Sequence, residues 1–440
     1  CYNLYMKKFI VLMLILLTCP PSFSDENIRK ISLQEALDIA IENNIDYQAS
    51  KMNIDIAANK VKASNRLQNP EIQTRFNMGG IGSGEPQTTG LSEKIEIAKR
   101  DARKKLAQAN LDLEKQNLNY TEFDLKMDVR EAYVNLVAAK EILIVLEQRR
   151  RLLNDLLAIA KKRVAAGEVE EIDVIQTEIA LNQLVIQVNT QKANVKSAMY
   201  DFNKAININN KNNIKYDAQD DNFSDKDDFI ALLSPKPLDK LPSFASIMQN
   251  SLKNRYDIKI AKQEIDVAKK NLVYVTRQRI PDLEIQGGYG FITRGMSDSG
   301  SAVNGAYAGA NIINIPLFYA YKPEIQNAEM QVNQAELKYM SVQNKAVNDL
   351  NGAYEKFVTA QINLNYYNDN LLKNSNELIK VAKKNYATGK STLTTLIVME
   401  QSYRSIVAGY TYALADYYKC WIDFLREVNV ENFDLNEESI

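Results

Sequence analysis

Residues 43–73 read NNIDYQASKMNIDIAANKVKASNRLQNPEIQ, and residues 254–286 read NRYDIKIAKQEIDVAKKNLVYVTRQRIPDLEIQ. At the offset that separates Pro70 from Pro281, Asn43 meets Asn254, Asp46 meets Asp257, Ile54-Asp55 meets Ile265-Asp266 and Ala57 meets Ala268. A second pair, AKKRVAAGEVEEIDVIQTE (160–178) and AKKNYATGKSTLTTLIVME (382–400), aligns at a slightly larger offset that places Gly167 on Gly389. The chain is therefore two copies of one long unit, and its fold has to explain why two are needed.

Each copy runs from a short helical segment into a strand pair and then into very long helix. From Ala98 to Val164 there is neither Gly nor Pro, and helix formers dominate. At 1.5 Å per residue that is a helix of about 100 Å, far beyond ordinary globular lengths. In the second copy only Gly352 interrupts the stretch between Pro323 and Gly389. Met340, Val347 and Tyr354 fall seven apart, as do Leu350, Phe357 and Leu364, and so do Ala346, Ala353 and Ala360. Several apolar rows on one helix predict several helical neighbours, hence a wall of helices and not a two-stranded rod. The breaks AAGEVEE (165–171) and ATGKSTL (387–393) turn each long helix back into a returning one, over 172–206 and 394–427.

Ahead of each long helix the period changes to two. After Pro70, Ile72, Thr74, Phe76 and Met78 alternate with Gln73, Arg75 and Asn77; after Pro281, Leu283, Ile285, Tyr289 and Phe291 alternate with Glu284, Gln286 and Gly288. Return strands are expected near 90–97 and 306–318, beyond Gly- and Ser-rich tips. The predicted strands have about the 9–11 residues that a tilted membrane strand needs. Two strands are not stable alone, four cannot close a barrel whose minimum is about eight, and a membrane admits only closed barrels. One chain then reads as a sector of an oligomeric tube, with a periplasm-spanning coiled-coil rod as the alternative.

The expected organisation is a signal peptide over 6–24, a first repeat over 25–206 (β-hairpin 70–97, helical hairpin 98–206) and a connector over 207–241. A second repeat follows over 242–428 (β-hairpin 281–318, helical hairpin 319–427), with an acidic tail over 429–440. The leader rests on Met6-Lys7-Lys8 before FIVLMLILL (9–17) and TCPPSFS (18–24), with cleavage after Ser24. Cys19, three residues after Leu16, leaves lipidation as an alternative.

Composition argues against several function classes. With 54 basic and 55 acidic residues the chain lacks the basic excess of nucleic-acid binders, and it has no histidine. The tempting Gly389-Lys390-Ser391-Thr392 is only the tail of a phosphate-binding loop, since Lys384 stands where that loop needs its first Gly. No catalytic centre, cofactor site or metal site is expected.

Taken in order, ISLQEALDIAIENN (31–44), QNPEIQ (68–73), RIPDLEIQGGYG (279–290), NIPLF (314–318) and the two AKK…G turns resemble the TolC family of outer-membrane efflux proteins. SEKIEIAKRDARK (92–104) is similar to the heavy-metal branch of that family, with Lys94 and Ala98 where Pro and Gly are usual. The resemblance implies a mainly α fold with membrane β-structure: a homotrimer with a 12-stranded β-barrel in the outer membrane and an α-helical tube in the periplasm. It implies a periplasmic adaptor protein and an inner-membrane pump as partners, a proton-driven pump of the RND class or an ABC pump. It gives a passive export duct, or alternatively the exit of a one-step protein secretion system.

The resemblance also assigns residues. Adaptor docking falls on Arg163, Ala166, Gly167, Tyr386, Thr388 and Gly389, and a gate lock on a Tyr386–Asp173 hydrogen bond. An entrance aspartate ring would fall at Thr395 and Val398 and is absent, as is an arginine at Ser391. From the alternation, Ile72, Phe76, Leu283, Ile285 and Tyr289 should face lipid, and Gln73, Arg75, Glu284 and Gln286 water.

Overall fold

A computed structural model describes residues 27–75, 87–167, 170–207, 214–223, 233, 235–291 and 305–433. Phe76 and the expected leader lie outside the described residues. The elements are β1 (Asn27–Ile31), α1 (Leu33–Asn43), α2 (Ile45–Ser64), β2 (Glu71–Arg75), β3 (Gln87–Ile95), α3 (Lys99–Ala165), α4 (Glu171–Ile206) and β4 (Ile214–Ala218) in the first half. The second half has α5 (Phe244–Asn254), α6 (Tyr256–Arg277), β5 (Asp282–Phe291), β6 (Gly305–Ile313), α7 (Lys322–Tyr366), a π-helical turn (Tyr367–Leu371), α8 (Leu372–Ala387) and α9 (Leu393–Val428).

The duplication is visible atom by atom. Ser32 caps α1 by accepting from Glu35 N–H at 3.2 Å, and Ser243 caps α5 by accepting from Ser246 N–H at 3.3 Å. Both serines satisfy one of the four N–H groups that every helix start leaves open. The returning helices α4 and α9 both end on a left-handed asparagine, Asn207 (φ 45°) and Asn429 (φ 66°), the residue other than glycine that best tolerates that region.

The compact units are not the two repeats, because each unit draws on both. One unit comprises 1–45, 128–234 and 362–419. Here β1 and β4 pair in parallel, Asn27 opposite Ile214 and Ile31 opposite Ala218, a small sheet that the sequence did not suggest. Buried Tyr133 donates its hydroxyl to Asp220 at 2.5 Å and meets Phe202 edge-on at 5.6 Å. Lys140, also buried, donates to the Ala218 carbonyl at 2.6 Å and pairs with Asp217 at 2.8 Å. Toward the turns, Leu153 and Leu156 of α3, Leu184 and Val188 of α4, Ile379 of α8 and Leu396 of α9 form one buried cluster.

The other unit comprises 46–127, 235–361 and 420–440. Its core is aromatic: the rings of Phe357 and Phe424 stack at 5.6 Å, and Trp421 lies 5.1 Å from Phe357. Buried Arg255 joins the start of α6 to the end of α9, pairing with Asp257 at 2.8 Å and with Glu427. A four-stranded antiparallel sheet in the order β2-β3-β5-β6 completes this unit. The return strands end at Ile95 and Ile313, so Asn314–Phe318, expected in strand, belongs instead to an irregular junction before α7.

Candidate functional site

Register sorts the sheet into two faces, because neighbours along a strand point to opposite sides. Ile72 pairs with Leu91 and Leu91 with Gly287; Ile285 lies between Glu93 and Ala310, and Leu283 between Ile95 and Ile312. These positions make one face, largely apolar, which Thr74, Thr89 and Gln87 share by the same register and on which Glu93 carries the charge. It is solvent-exposed in the isolated chain: Ile72 is 76% exposed, Ile285 46% and Tyr289 51%, while Leu283 is half-buried. Glu93 is the charged residue among the described positions of this face, and its Oε1 is buried without a hydrogen-bond partner among the described residues.

The opposite face is hydrogen-bonded across the strands. Gln73 Nε2 donates to Ser92 Oγ at 2.9 Å and to Glu284 Oε1 at 3.2 Å, and Asn311 Nδ2 donates to Glu284 Oε2 at 3.3 Å. Gly90 and Gly288 stand opposite each other on this face, under the ring of Tyr307. A Cβ on Gly90 would come within 2.5 Å of the Tyr307 hydroxyl, and one on Gly288 within 2.4 Å of the Thr89 carbonyl. Glycine is required there so that the aromatic side chain can lie across the sheet.

At the foot of β5, fully buried Asp282 gathers three donors on Oδ2: Lys99 at 2.8 Å, Lys94 at 3.1 Å and Asn314 at 2.9 Å. Lys94, the departure from the usual proline, therefore has a partner here. The carboxylate ties the sheet to the first turn of α3.

The second candidate surface is the pair of helix turns. Gly167 (φ 73°) and Gly389 (φ 70°) both hold the left-handed conformation, and open space lies where a Cβ would stand on either, so backbone geometry and not crowding demands glycine. Around Gly389, the Lys390 N–H reaches the Asn385 carbonyl at 2.8 Å and the Gly389 N–H reaches the Tyr386 carbonyl at 3.1 Å, a Schellman closure. Ala166, Gly167, Thr388 and Gly389 are exposed; the Thr388 hydroxyl donates to the Lys384 carbonyl at 3.0 Å.

Tyr386 and Asp173 do not bond each other within the chain. The Arg163 guanidinium lies over the Tyr386 ring at 5.4 Å, tying α3 to α8. Asp173 Oδ1 accepts from Thr394 Oγ1 at 3.4 Å, and the same hydroxyl meets Gln176 Oε1 at 2.6 Å, tying α4 to α9. The two copies are thus joined at the turns by an aromatic–cation contact and a hydroxyl–carboxylate contact. Thr394 carried no signal in sequence, since a lone threonine at a helix start reads as an ordinary cap. Among the described residues there is no acidic, histidine or cysteine cluster able to hold a metal ion, and no helix long and apolar enough to cross a membrane.

Residues 247–405 match the family model "Outer membrane efflux protein". The cobalt-zinc-cadmium resistance protein CzcC of Cupriavidus metallidurans is 21% identical over 323 residues, covering 73% of this chain and 71% of that protein. The Campylobacter jejuni CmeC outer membrane channel superimposes with a TM-score of 0.71 at 16% identity, covering 93% of this chain and 90% of that one. CusC superimposes with a TM-score of 0.71 at 14% identity (93% and 95% covered), and the open-state Neisseria gonorrhoeae MtrE channel with 0.69 at 16% (91% and 89%). The family model thus falls within the second repeat, the similarity to CzcC runs over most of both chains, and the fold shared with these outer membrane channels extends over more than nine-tenths of the residues.

Proposed function

We propose that this chain is the outer-membrane channel of a tripartite efflux pump, a passive homotrimeric duct. The observation that carries the reading is the sheet: an exposed apolar face, a hydrogen-bonded polar face, and outer strands β2 and β6 with no further strand beside them among the described residues. Unpaired edges have to be closed in a membrane, and three copies supply twelve strands, an ordinary barrel size. The likeness to CmeC, CusC and MtrE supports that assembly, and the turns at Gly167 and Gly389 are the surface on which a periplasmic adaptor would dock.

The likeness to a cobalt-zinc-cadmium resistance protein favours divalent metal ions as cargo and a pump of the RND class. No metal-holding cluster is needed for that, because a duct that only conducts has no use for a tight site. Purified protein in planar lipid bilayers should give single-channel conductance and partition as a heat-resistant oligomer with the outer membrane. A soluble, non-conducting protein would sink the channel reading. Sensitivity of a deletion strain to cobalt, zinc and cadmium tests the cargo, and loss of protein secretion with normal metal tolerance would favour the secretion duct.

A further inference from the structure

The two copies depart from each other where strand passes into long helix. In the first copy only Glu96–Ala98 separates β3 from α3; in the second, Asn314–Tyr321 separates β6 from α7. That longer junction holds the NIPLF stretch, and its outermost side chains are apolar: Phe318 is fully exposed and Leu317 78% exposed. Such side chains on a soluble surface are ordinarily folded back or replaced.

The junction is built to prevent folding back. Its two ends, Asn314 (φ 57°) and Tyr321 (φ 52°), are both left-handed, a conformation that tyrosine adopts only when its surroundings impose it. Asn314 Nδ2 is held by Asp282 at 2.9 Å. Arg279 Nε donates to the Ala320 carbonyl at 2.7 Å, and the Tyr319 hydroxyl donates to Glu324 Oε1 at 2.5 Å. Tyr319 and Tyr321 lie ring to ring at 5.4 Å. Four fixed points surround a tip whose Phe318 ring stands clear of the described residues.

We propose that Asn314–Tyr321 is a membrane-interface anchor that seats Leu317 and Phe318 in the headgroup–acyl boundary of the periplasmic leaflet. The occupant is lipid because the tip continues the apolar face: Ala310 and Ile312 end that row on β6, and the junction begins two residues later. Ile97, in the shorter junction of the first copy, is also largely exposed. Tyr319 beside Phe318, its hydroxyl bonded to Glu324 while its ring faces Tyr321, matches the amphipathic chemistry of that boundary. The anchor would fix how deep the sheet sits, which the smooth apolar face alone does not. It rests on the barrel reading of the sheet.

The test uses the full chain in phosphatidylethanolamine–phosphatidylglycerol vesicles doped with brominated phosphatidylcholine, bromine being a short-range quencher. The protein has one tryptophan, Trp421, which is buried and gives a constant baseline. Phe318→Trp should add blue-shifted emission that is quenched more by bromines near the top of the acyl chain than by bromines near its end. Ile285→Trp, on the sheet, should show the opposite depth preference. If Ile285→Trp is quenched while Phe318→Trp emits as in water, the anchor is wrong and the barrel stands. Blue-shifted but unquenched Phe318→Trp emission would place a second copy or another protein over the tip and equally overturn the lipid assignment. Quenching of neither variant removes the barrel reading and the anchor with it.

Discussion

Glu93, the acidic residue among the described positions of the apolar sheet face, allows a sharp test of that face. Ile285 is the fourth residue of β5 and Tyr289 the eighth. At about 3.4 Å per residue and a tilt near 45°, they stand about 7 Å and 17 Å above Asp282, symmetric about the middle of a band about 25 Å tall. Depth alone would then charge Ile285→Arg and Tyr289→Arg alike, about 2–4 kcal/mol per chain. Their neighbours differ. Tyr289 lies between Thr89 and Ala306, whereas Ile285 lies beside Glu93, whose Oε1 has no hydrogen-bond partner among the described residues. A guanidinium at 285 would gain about 0.2–1 kcal/mol from the cross-strand pair and relieve about 1–3 kcal/mol of unmet carboxylate. Ile285→Arg should therefore cost about 2 kcal/mol less than Tyr289→Arg, and adding Glu93→Gln should remove that advantage. The measurement is the denaturant midpoint of the oligomer folded in lipid, with Gln286→Arg as a polar-face control. Equal damage from both arginines, with no effect of Glu93→Gln, would refute the pairing. Damage from Gln286→Arg matching that of Tyr289→Arg would shift the register by one and exchange the faces.

Asp282→Ala leaves the buried ammonium of Lys99 without its carboxylate and should cost about 3–5 kcal/mol in the same assay, the cost of breaking a buried pair from one side. At the turns, Tyr386→Phe should leave single-channel conductance unchanged, because a phenyl ring still accepts Arg163; Tyr386→Ala should raise it, and a rise with Tyr386→Phe would point back to a hydroxyl bond. Burial pushes the Glu141 carboxyl above its ordinary range, only partly offset by the Phe223 N–H and the Thr411 hydroxyl. The folded state thus resists its ionisation, a penalty absent in acid that grows as pH rises from the unfolded value of about 4.3 through the folded one. Glu141→Gln should raise the melting temperature at pH 7 and lose its advantage at pH 4, whereas an advantage constant across that range would contradict the shift.

Much of this was legible because the chain repeats. The offset that pairs Pro70 with Pro281 also pairs the caps Ser32 and Ser243 and the helices α1 and α5, so a signal weak in either copy is read twice. Gly167 and Gly389 announced their turns because few residues tolerate a left-handed backbone. The parallel pairing of β1 with β4 was not legible: each is five residues long, and they are far apart in sequence. Short strands carry too few alternations to signal a partner. The gate lock is a different case. The family resemblance placed it by counting from the glycines, whereas within the chain Asp173 meets Thr394 and Tyr386 meets Arg163. The π-helical turn at Tyr367–Leu371 falls on Tyr-Asn-Asp-Asn-Leu, a run poor in strong helix formers, with the Tyr367 hydroxyl close to where a Cβ would stand on Gly409.

Why two copies in one chain follows from the sheet. Within the first copy, β2 and β3 share five described residue pairs, Glu71↔Ser92 to Arg75↔Thr88. Between copies, β3 and β5 share nine, from Gln87↔Phe291 to Ile95↔Leu283. A lone hairpin is marginal in water, and its second edge would have to find another molecule before the first was secure. Joining the copies covalently turns the central pairing into an intramolecular event, at a loop-closure cost that grows only logarithmically with the intervening chain. Among the described residues the edges left open are one on β2 and one on β6, which differ in sequence and in the proposed oligomer would meet head to tail. Heterologous edges generate a ring when the rotation closes, and the proposed trimer is the smallest such ring with enough strands to line an open pore.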